Sequence, residues 1–454
     1  MLFSGIPFLF YFLPAVIILY YLLPDRFKNG LLLAVSLVFY AWGEPKYVAL
    51  MIFSILAYYF YGLAIEKSSR KKLWLTASIL TGALLLGIFK YCDFFIDSFN
   101  GIFGTSLPLL RLALPIGISF YTFQCMSYTI DVYRGDTKAQ RDLVSFGAYV
   151  ALFPQLIAGP IVRYVDVAQE LEQRSHSFDN FLQGLPRFLI GLGKKVILAN
   201  NLGLLTELYR QSTDKSVLFA WLYAIAFTLH IYFDFSGYSD MAIGLGRIFG
   251  FRFPENFDYP YISRSVTEFW RRWHKTLGGW FRDYVYIPLG GNRVSKGRWV
   301  GNILVVWMLT GLWHGAAWNF VLWGLLFAAF LMLEKWLPVH KLPNALRHGY
   351  VLLVVVISFV IFNAESLAQA WGDISGMFGG QAVPLLTAES VYYLKSYGLL
   401  LAVAAVGATP LVRNTAARLE KVGFLRLVVA AALLLVCTAY LVDGSFNPFL
   451  YFRF

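Results

Sequence analysis

The chain contains one long apolar stretch, residues 300–333, that holds no Asp, Glu, Lys or Arg. A continuous helix of this length would extend roughly 50 Å at ~1.5 Å per residue, whereas the hydrocarbon core of a bilayer is ~30 Å thick. Gly311 and Gly315, four residues apart, would let a neighbouring helix approach closely. We therefore predict a membrane segment that breaks or turns back near this glycine pair.

Within this stretch, His314 is the one side chain that can take up a proton near neutral pH. At helical spacing it shares a face with Trp307, Thr310 and Trp318. An ionisable residue inside a membrane segment is by default a functional candidate. The alternative is a buried neutral histidine that bonds a backbone carbonyl, and both interpretations stay open at this point.

The composition of the chain is that of a polytopic membrane protein, because 58% of its residues are hydrophobic and 14% are charged. The net charge of +12 is typical of basic loops held on the cytoplasmic side, and residues 66–72 are one such loop. The basic residues lie between apolar segments, so no nucleic-acid partner is predicted. The three cysteines are widely separated, which argues against a disulfide framework or a thiolate metal site.

Apolar segments recur along the chain and predict an all-α fold with about 11 transmembrane helices, plus re-entrant and amphipathic interfacial helices. The first segment lacks a basic flank and a small-residue cleavage site, so it is predicted to be a retained span. The aromatic run at residues 446–454 predicts a tail at the membrane interface. Besides residues 300–333, the apolar segments are residues 6–23, 30–42, 47–65, 73–89, 102–130, 143–161, 181–200, 217–235, 350–362, 398–412 and 425–442.

One of these segments, residues 143–161, is interrupted by Pro154, Gly159 and Pro160. Broken backbone at membrane depth is tolerated mainly where it lines a cavity or is buried in protein. The alternative is a turn that ends a helix at the interface. The residues alone do not decide between the two.

Charged residues also occur within predicted spans. Asp234 and Asp240 indicate either a wet pocket or a structural hydrogen-bond network. We favour the network, because the two acids lack the spacing of a paired-carboxylate site. The long stems of Arg187, Lys194 and Lys195 would let these cations snorkel or face an interior channel.

Residues 262–299 carry eight basic and two acidic residues. A capping-box pattern begins at Ser265 and tryptophans recur at helical spacing, which predicts a basic amphipathic helix. The helix could anchor in an anionic leaflet, or it could bind the phosphates of a cytoplasmic donor, since arginine forks suit phosphate oxygens. His274 shares a face with Trp270 and Leu277, so we expect it to point toward protein or membrane.

Residue chemistry alone therefore offers two histidines, His274 and His314, beside a basic segment. The sequence has no phosphate-binding glycine loop, Ser-His-Asp order, His-Glu-x-x-His motif or paired-cysteine site. A neutral histidine can take a proton from a hydroxyl nucleophile, which suits the transfer of an acyl group to an alcohol. It can equally relay protons, so transport remains an alternative.

Ordered motifs in the chain resemble the membrane-bound O-acyltransferase (MBOAT) family. The resemblance is closest to the bacterial branch that acetylates alginate and peptidoglycan, and it extends over nearly the whole chain. Gln155 is a departure, because some alginate-type members carry histidine there, and it weakens an assignment to alginate. The motifs lie at residues 114–123, 153–160, 232–240, 267–274, 282–293 and 311–315.

The resemblance implies one integral-membrane domain over residues 1–454. It would consist of N-terminal spans in residues 1–100, a catalytic core in residues 101–340 and C-terminal spans in residues 341–454. Its helices would form a ring around a thin central region, with a cytoplasmic donor side and an extracytoplasmic acceptor side. The expected location is the bacterial inner (cytoplasmic) membrane, in contact with its lipids.

The resemblance also implies that His314 is the central catalytic residue and His274 its functional companion. We expect an O-acyltransferase that moves an acetyl group from acetyl-CoA across the membrane for O-acetylation of an exported polysaccharide. His314 would act as general base or as a transient acyl carrier, and no metal is expected. The cations expected to bind the phosphates of the donor are Arg271, Arg272, Lys275 and Arg282.

A partner is implied as well, namely a periplasmic SGNH-type or related polysaccharide acetyltransferase that receives the acetyl group. Two alternatives remain open. One is a D-alanyl-type transferase whose donor is a carrier-protein thioester, and the basic segment cannot discriminate because both donors carry phosphate. The other is a proton-coupled transporter of an acetylated carrier.

Overall fold

The computed structural model describes residues 2–419, 423–444 and 450, and these residues form helices and loops without any β-strand. The all-helical prediction is therefore confirmed. The predicted aromatic tail, residues 446–454, lies outside the described residues except for Leu450. The chain divides into two compact units, Met1–Phe188 with Ser239–Pro254, and Leu189–Tyr238 with Glu255–Phe454.

The first unit begins with a short π-helical segment, Phe8–Phe12. A second π-helical segment, Gly87–Tyr91, continues α4 into α5, so that Lys71–Phe103 is one long apolar helix. Its helices are α1 (Leu13–Leu22), α2 (Asp25–Gly43), α3 (Val48–Lys67), α4 (Lys71–Leu86), α5 (Cys92–Phe103), α6 (Ile118–Arg134), α7 (Leu143–Ala151), α8 (Phe153–Leu156), α9 (Tyr164–Glu172) and most of α10 (Phe178–Gly193).

The apolar segment at residues 102–130, which two prolines and a glycine interrupt in the sequence, does not form one continuous helix. Helix α5 ends at Phe103, a loop follows, and α6 begins at Ile118. The loop contains Pro108 and Pro115, which lack the N–H that a continuing helix would need. The loop ends at Gly117, whose φ of 75° favours glycine, and a Cβ there would lie 2.5 Å from the carbonyl oxygen of Leu156.

The interrupted segment at residues 143–161 contains α7, the four-residue helix α8 and irregular backbone. Every residue from 145 to 162 is buried. The broken backbone is satisfied within the protein, because Phe153 N donates to Ser36 Oγ at 3.0 Å and Gln155 Nε2 donates to Tyr149 O at 2.8 Å. The broken backbone is therefore buried in protein, as one of the two interpretations required.

The second unit contains the two candidate histidines. After α10, a π-helical segment, Lys194–Ala199, leads into α11. Its helices are α11 (Asn200–Gln211), most of α12 (Val217–Ile248), α13 (Val266–Arg272), α14 (Lys275–Phe281), α15 (Lys296–His314), α16 (Trp318–Trp336), α17 (Asn344–Asn363), α18 (Leu367–Met377), α19 (Ala388–Gly407), α20 (Leu411–Leu419) and α21 (Gly423–Asp443).

Seven helices in the described part of the chain are long and apolar enough to cross a membrane, and the apolar helices Phe8–Leu22 and Val428–Asp443 are shorter. These features agree with a polytopic fold and make the chain a multi-pass membrane protein. The seven are Pro45–Lys67, Lys71–Phe103, Phe178–Gln211, Val217–Ile248, Trp318–Trp336, Asn344–Asn363 and Ala388–Gly407.

Candidate functional site

His314 is the last residue of α15. Gly315 follows in an extended conformation (φ −169°, ψ 152°), and α16 begins at Trp318 after an extended Ala317. The chain therefore reverses immediately after the histidine, as the length of the apolar stretch predicted. The break leaves His314 at the closed end of a hairpin formed by α15 and α16, where 4% of its surface is exposed.

Glycines allow the two helices of this hairpin to pack backbone against backbone. A Cβ at Gly311 would overlap the carbonyl oxygen of Phe320, and one at Gly324 would overlap the carbonyl oxygen of Trp307. The prediction that a helix approaches the glycine pair closely is confirmed, and the helix is α16. This contact fixes the position of the end of α15, and hence of His314.

His274 lies between α13 and α14 in a left-handed backbone conformation (φ 43°, ψ 53°). The prediction of one continuous amphipathic helix through this segment is therefore wrong, although Ser265 does cap its start by accepting from Glu268 N at 2.9 Å. The buried Asn256 stabilises the break, because its backbone oxygen accepts from Lys275 N at 2.9 Å and its Oδ1 accepts from Thr276 Oγ1 at 2.9 Å.

Asn256 also sets the tautomer of His274. Its Oδ1 lies 3.1 Å from His274 Nδ1, and an amide oxygen can only accept, so Nδ1 carries the proton. Nε2 is then the basic nitrogen, and it has no hydrogen-bond partner among the described residues. Burial, followed by the neighbouring His314, lowers the pKa of His274 well below its ordinary value, so this ring is neutral at pH 7.

The two imidazole rings lie close together, with centroids 6.3 Å apart. Aromatic side chains enclose them. Trp323 and Phe362 lie 5.0 and 5.4 Å from His314, and Phe235 lies 4.7 Å from His274, between ring centroids. The His274 side of the site therefore holds a neutral base that is buried among aromatic rings. No group of three or more metal-ligating side chains occurs in the described part of the chain.

The structure divides the four predicted phosphate-binding cations into two pairs. Arg272 bonds Glu268 Oε1 at 3.0 Å and Asp258 Oδ2 at 3.2 Å, and Arg282 bonds Asp283 Oδ1 at 2.6 Å. Arg271 and Lys275 are exposed and form no ion pair with the residues that the structure describes.

The acids of the polar segment at residues 232–240 are engaged in ion pairs. In the first unit, Arg187 Nη2 lies 2.6 Å from Asp240 Oδ1. In the second, the buried Lys195 Nζ lies 2.6 Å from Asp234 Oδ1, and Leu450 N donates to Asp234 Oδ2 at 3.1 Å. The structural-network interpretation is confirmed. Arg187 and Lys195 therefore pair with acids within the protein.

Sequence reasoning missed Asn256, Trp323 and Phe362. Trp323 could have been found from the sequence. If the apolar stretch turns back after His314, the first residues of the returning helix must pass close to the histidine. Asn256 and Phe362 belong to segments without a recognisable motif, and only the tertiary structure places them at the two rings.

We predict that Asn256→Ala lowers the rate of the reaction that depends on His274. Without the acceptor, the orientation and tautomer of His274 are no longer fixed, and we expect roughly a 10- to 100-fold loss of rate. The measurement is turnover by the purified variant beside Thr267→Ala, a polar truncation about two turns before the break that removes a hydrogen bond to Glu334 instead. An Asn256→Ala rate equal to that of wild type would contradict the assigned tautomer.

Comparison with known proteins gives consistent matches. A family model described as MBOAT, membrane-bound O-acyltransferase family, matches residues 138–368, which include both histidines. The chain is 46% identical over 389 residues to a probable alginate O-acetylase of Azotobacter vinelandii, covering 83% of this chain and 78% of the relative. It is 35% identical to a peptidoglycan O-acetyltransferase of Helicobacter pylori, with 85% and 81% covered. It is 31% identical to a teichoic acid D-alanyltransferase of Bacillus subtilis, with 55% and 67% covered.

Proposed function

The chain belongs to the membrane-bound O-acyltransferase family and is an O-acyltransferase, and we propose that it moves an acetyl group from cytoplasmic acetyl-CoA across the bacterial inner membrane. The acetyl group serves the O-acetylation of an exported cell-surface polysaccharide, such as alginate or peptidoglycan. Two relatives whose names specify O-acetylation of these polymers support this choice of acyl group and acceptor. The observation that carries the proposal is the pair of buried histidines, 6.3 Å apart, within the segment that matches the family.

In the proposed reaction His314 is the general base. Its imidazole takes the proton of the acceptor hydroxyl while that oxygen attacks the thioester carbonyl, and it returns the proton to the departing thiolate. General-base catalysis of this kind typically raises the reaction rate by a factor on the order of 10²–10⁴. His274, with Nδ1 held by Asn256 and its ring 6.3 Å from that of His314, positions the reacting groups or relays the proton that His314 takes.

We propose that the donor's phosphates bind to Arg271 and Lys275, the two predicted cations that are exposed and form no ion pair with any residue in the described part of the chain. Arg272 and Arg282 contribute less, because nearby carboxylates already neutralise them. The acetyl group then passes to a periplasmic SGNH-type or related polysaccharide acetyltransferase on the opposite side.

A carrier-protein thioester is the second candidate donor, supported by the teichoic acid D-alanyltransferase relative. Purified protein supplied with either labelled acetyl-CoA or a labelled carrier-protein thioester separates the two. Release of the thiol from acetyl-CoA alone supports the first donor, and release from the carrier protein alone replaces it with the second.

The proposed function is tested in cells that lack the chromosomal gene and express either wild type or His314→Ala. We expect acetyl esters on the exported polysaccharide with wild type and their loss with the variant. His340→Ala, which alters an exposed histidine, is the matched control and should leave the esters unchanged. Normal ester content with a stably expressed His314→Ala protein would refute the catalytic role.

A further inference from the structure

The buried indole ring of Trp323 packs against the imidazole of His314. The two rings are 5.0 Å apart between centroids and nearly perpendicular, at 84°. Trp323 is 1% exposed, and its Nε1 has no acceptor among the described residues. Phe327 and Phe362 pack against the same indole at 5.3 and 5.1 Å, so the ring is held in place.

An unsatisfied donor at this position requires an explanation. A buried tryptophan N–H usually finds an acceptor, and leaving it without one costs ~1–3 kcal/mol. Phenylalanine would fill most of the same space without that cost. The retained N–H therefore points to an acceptor that is present only when a ligand occupies the site.

Trp270 also has a buried Nε1 without an acceptor among the residues described. Its ring packs on Trp323 at 5.6 Å and on Trp307 at 4.6 Å, which places it one ring further from the histidine. Trp323 thus contacts the proposed general base directly, as Trp313 also does at 5.1 Å between ring centroids, whereas Trp270 contacts it through Trp323.

We infer that Trp323 Nε1–H donates a hydrogen bond to the carbonyl oxygen of the acyl group during transfer. The inference rests on the proposed function. As the acceptor oxygen bonds to the carbonyl carbon and His314 takes the hydroxyl proton, negative charge develops on the carbonyl oxygen. The indole N–H stabilises this oxyanion. The carbon–sulfur bond then breaks, and the thiolate recovers the proton from His314, giving an ester and a thiol.

The geometry fits this role in two respects. The donor is fixed by aromatic packing before substrate binds, so it does not need to reorganise during the reaction. The surroundings are apolar, which strengthens a hydrogen bond to a developing charge relative to water. A donor that acts mainly on the transition state should affect kcat and leave KM largely unchanged.

The test compares Trp323→Phe with Trp307→Phe in purified protein, using the thioester donor that wild type accepts. Removing one oxyanion donor costs about 10²–10³ in kcat, and we expect this loss for Trp323→Phe with KM unchanged. Trp307 is the matched control, because its indole packs on Trp270 and Phe327, and its replacement should preserve kcat.

A second replacement guards against misfolding. Benzothienylalanine at position 323 keeps the fused ring but has sulfur in place of N–H, and we expect the same loss of kcat. An unchanged kcat with this residue, or equal losses at positions 307 and 323, would overturn the inference. The proposed function is tested separately, by His314→Ala. If that variant retains the activity of wild type, the proposed function is wrong, whatever the result at position 323.

Discussion

His314→Gln in the purified protein is expected to lower the rate of acetyl transfer about 10³-fold, within the 10²–10⁴ range of general-base catalysis. Glutamine retains polarity and comparable size but cannot accept the hydroxyl proton. His314 lies at the end of α15 with 4% of its surface exposed, so bulk water cannot readily replace it as the base. The measurement is the initial rate with radiolabelled acetyl-CoA in nanodiscs.

His340→Gln provides the comparison for this loss, because that residue is exposed in the connection between α16 and α17. Its rate should equal that of wild type. If His314→Gln also retained the rate of wild type, the histidine would be a structural residue of the hairpin and the proposed mechanism would be wrong.

The second large effect is expected from Gly324→Ala. A Cβ at this position would overlap the carbonyl oxygen of Trp307, and backbone atoms of two packed helices cannot rotate away as a flexible side chain can. Overpacking typically costs ~1–3 kcal/mol. Because the displaced helix carries His314, we also expect roughly a 100-fold loss of activity from misplacement of about 1 Å. Thermal unfolding in detergent and turnover measure the two effects.

Gly301→Ala is the matched control, since it lies on α15 where a Cβ would meet no atom within 4 Å. Alanine is favoured over glycine in a helix by ~1 kcal/mol, so this variant should be as stable as wild type or more stable. If the two alanine variants had the same unfolding temperature, the close approach of α15 and α16 would not be what positions the histidine.

The hairpin was predictable because its signals are local. The apolar stretch is too long for one crossing, and glycines mark the site of the break. The backbone at His274 was not predictable in the same way. Its left-handed conformation depends on hydrogen bonds to Asn256, eighteen residues earlier, and helical periodicity in the sequence carries no information about such distant contacts. The prediction that His274 points away from water was nevertheless correct, because the aromatic residues near it in the sequence indicated an apolar environment.

The same distinction applies in the first unit. The prolines at residues 108 and 115 marked an interruption of the apolar segment at residues 102–130, but they did not show how far apart the two helices lie. The structure separates α5 from α6 because the loop ends in a close contact between Gly117 and Leu156, which are distant in sequence. The broken backbone at residues 153–160 could be located from its prolines, but its burial depended on tertiary partners such as Ser36.

The central claim is that an acetyl group crosses the membrane without its carrier. The most direct measurement uses proteoliposomes in which the cytoplasmic face of the protein points outward, without an ion gradient. Acetyl-CoA that carries one label in its acetyl group and a different label in CoA is added outside. We predict that acetyl label appears inside the vesicles, as ester or acetate, and that free CoA stays outside. The His314→Ala protein should transfer no acetyl label. Intact acetyl-CoA inside the vesicles, or acetyl label that remains outside, would contradict it.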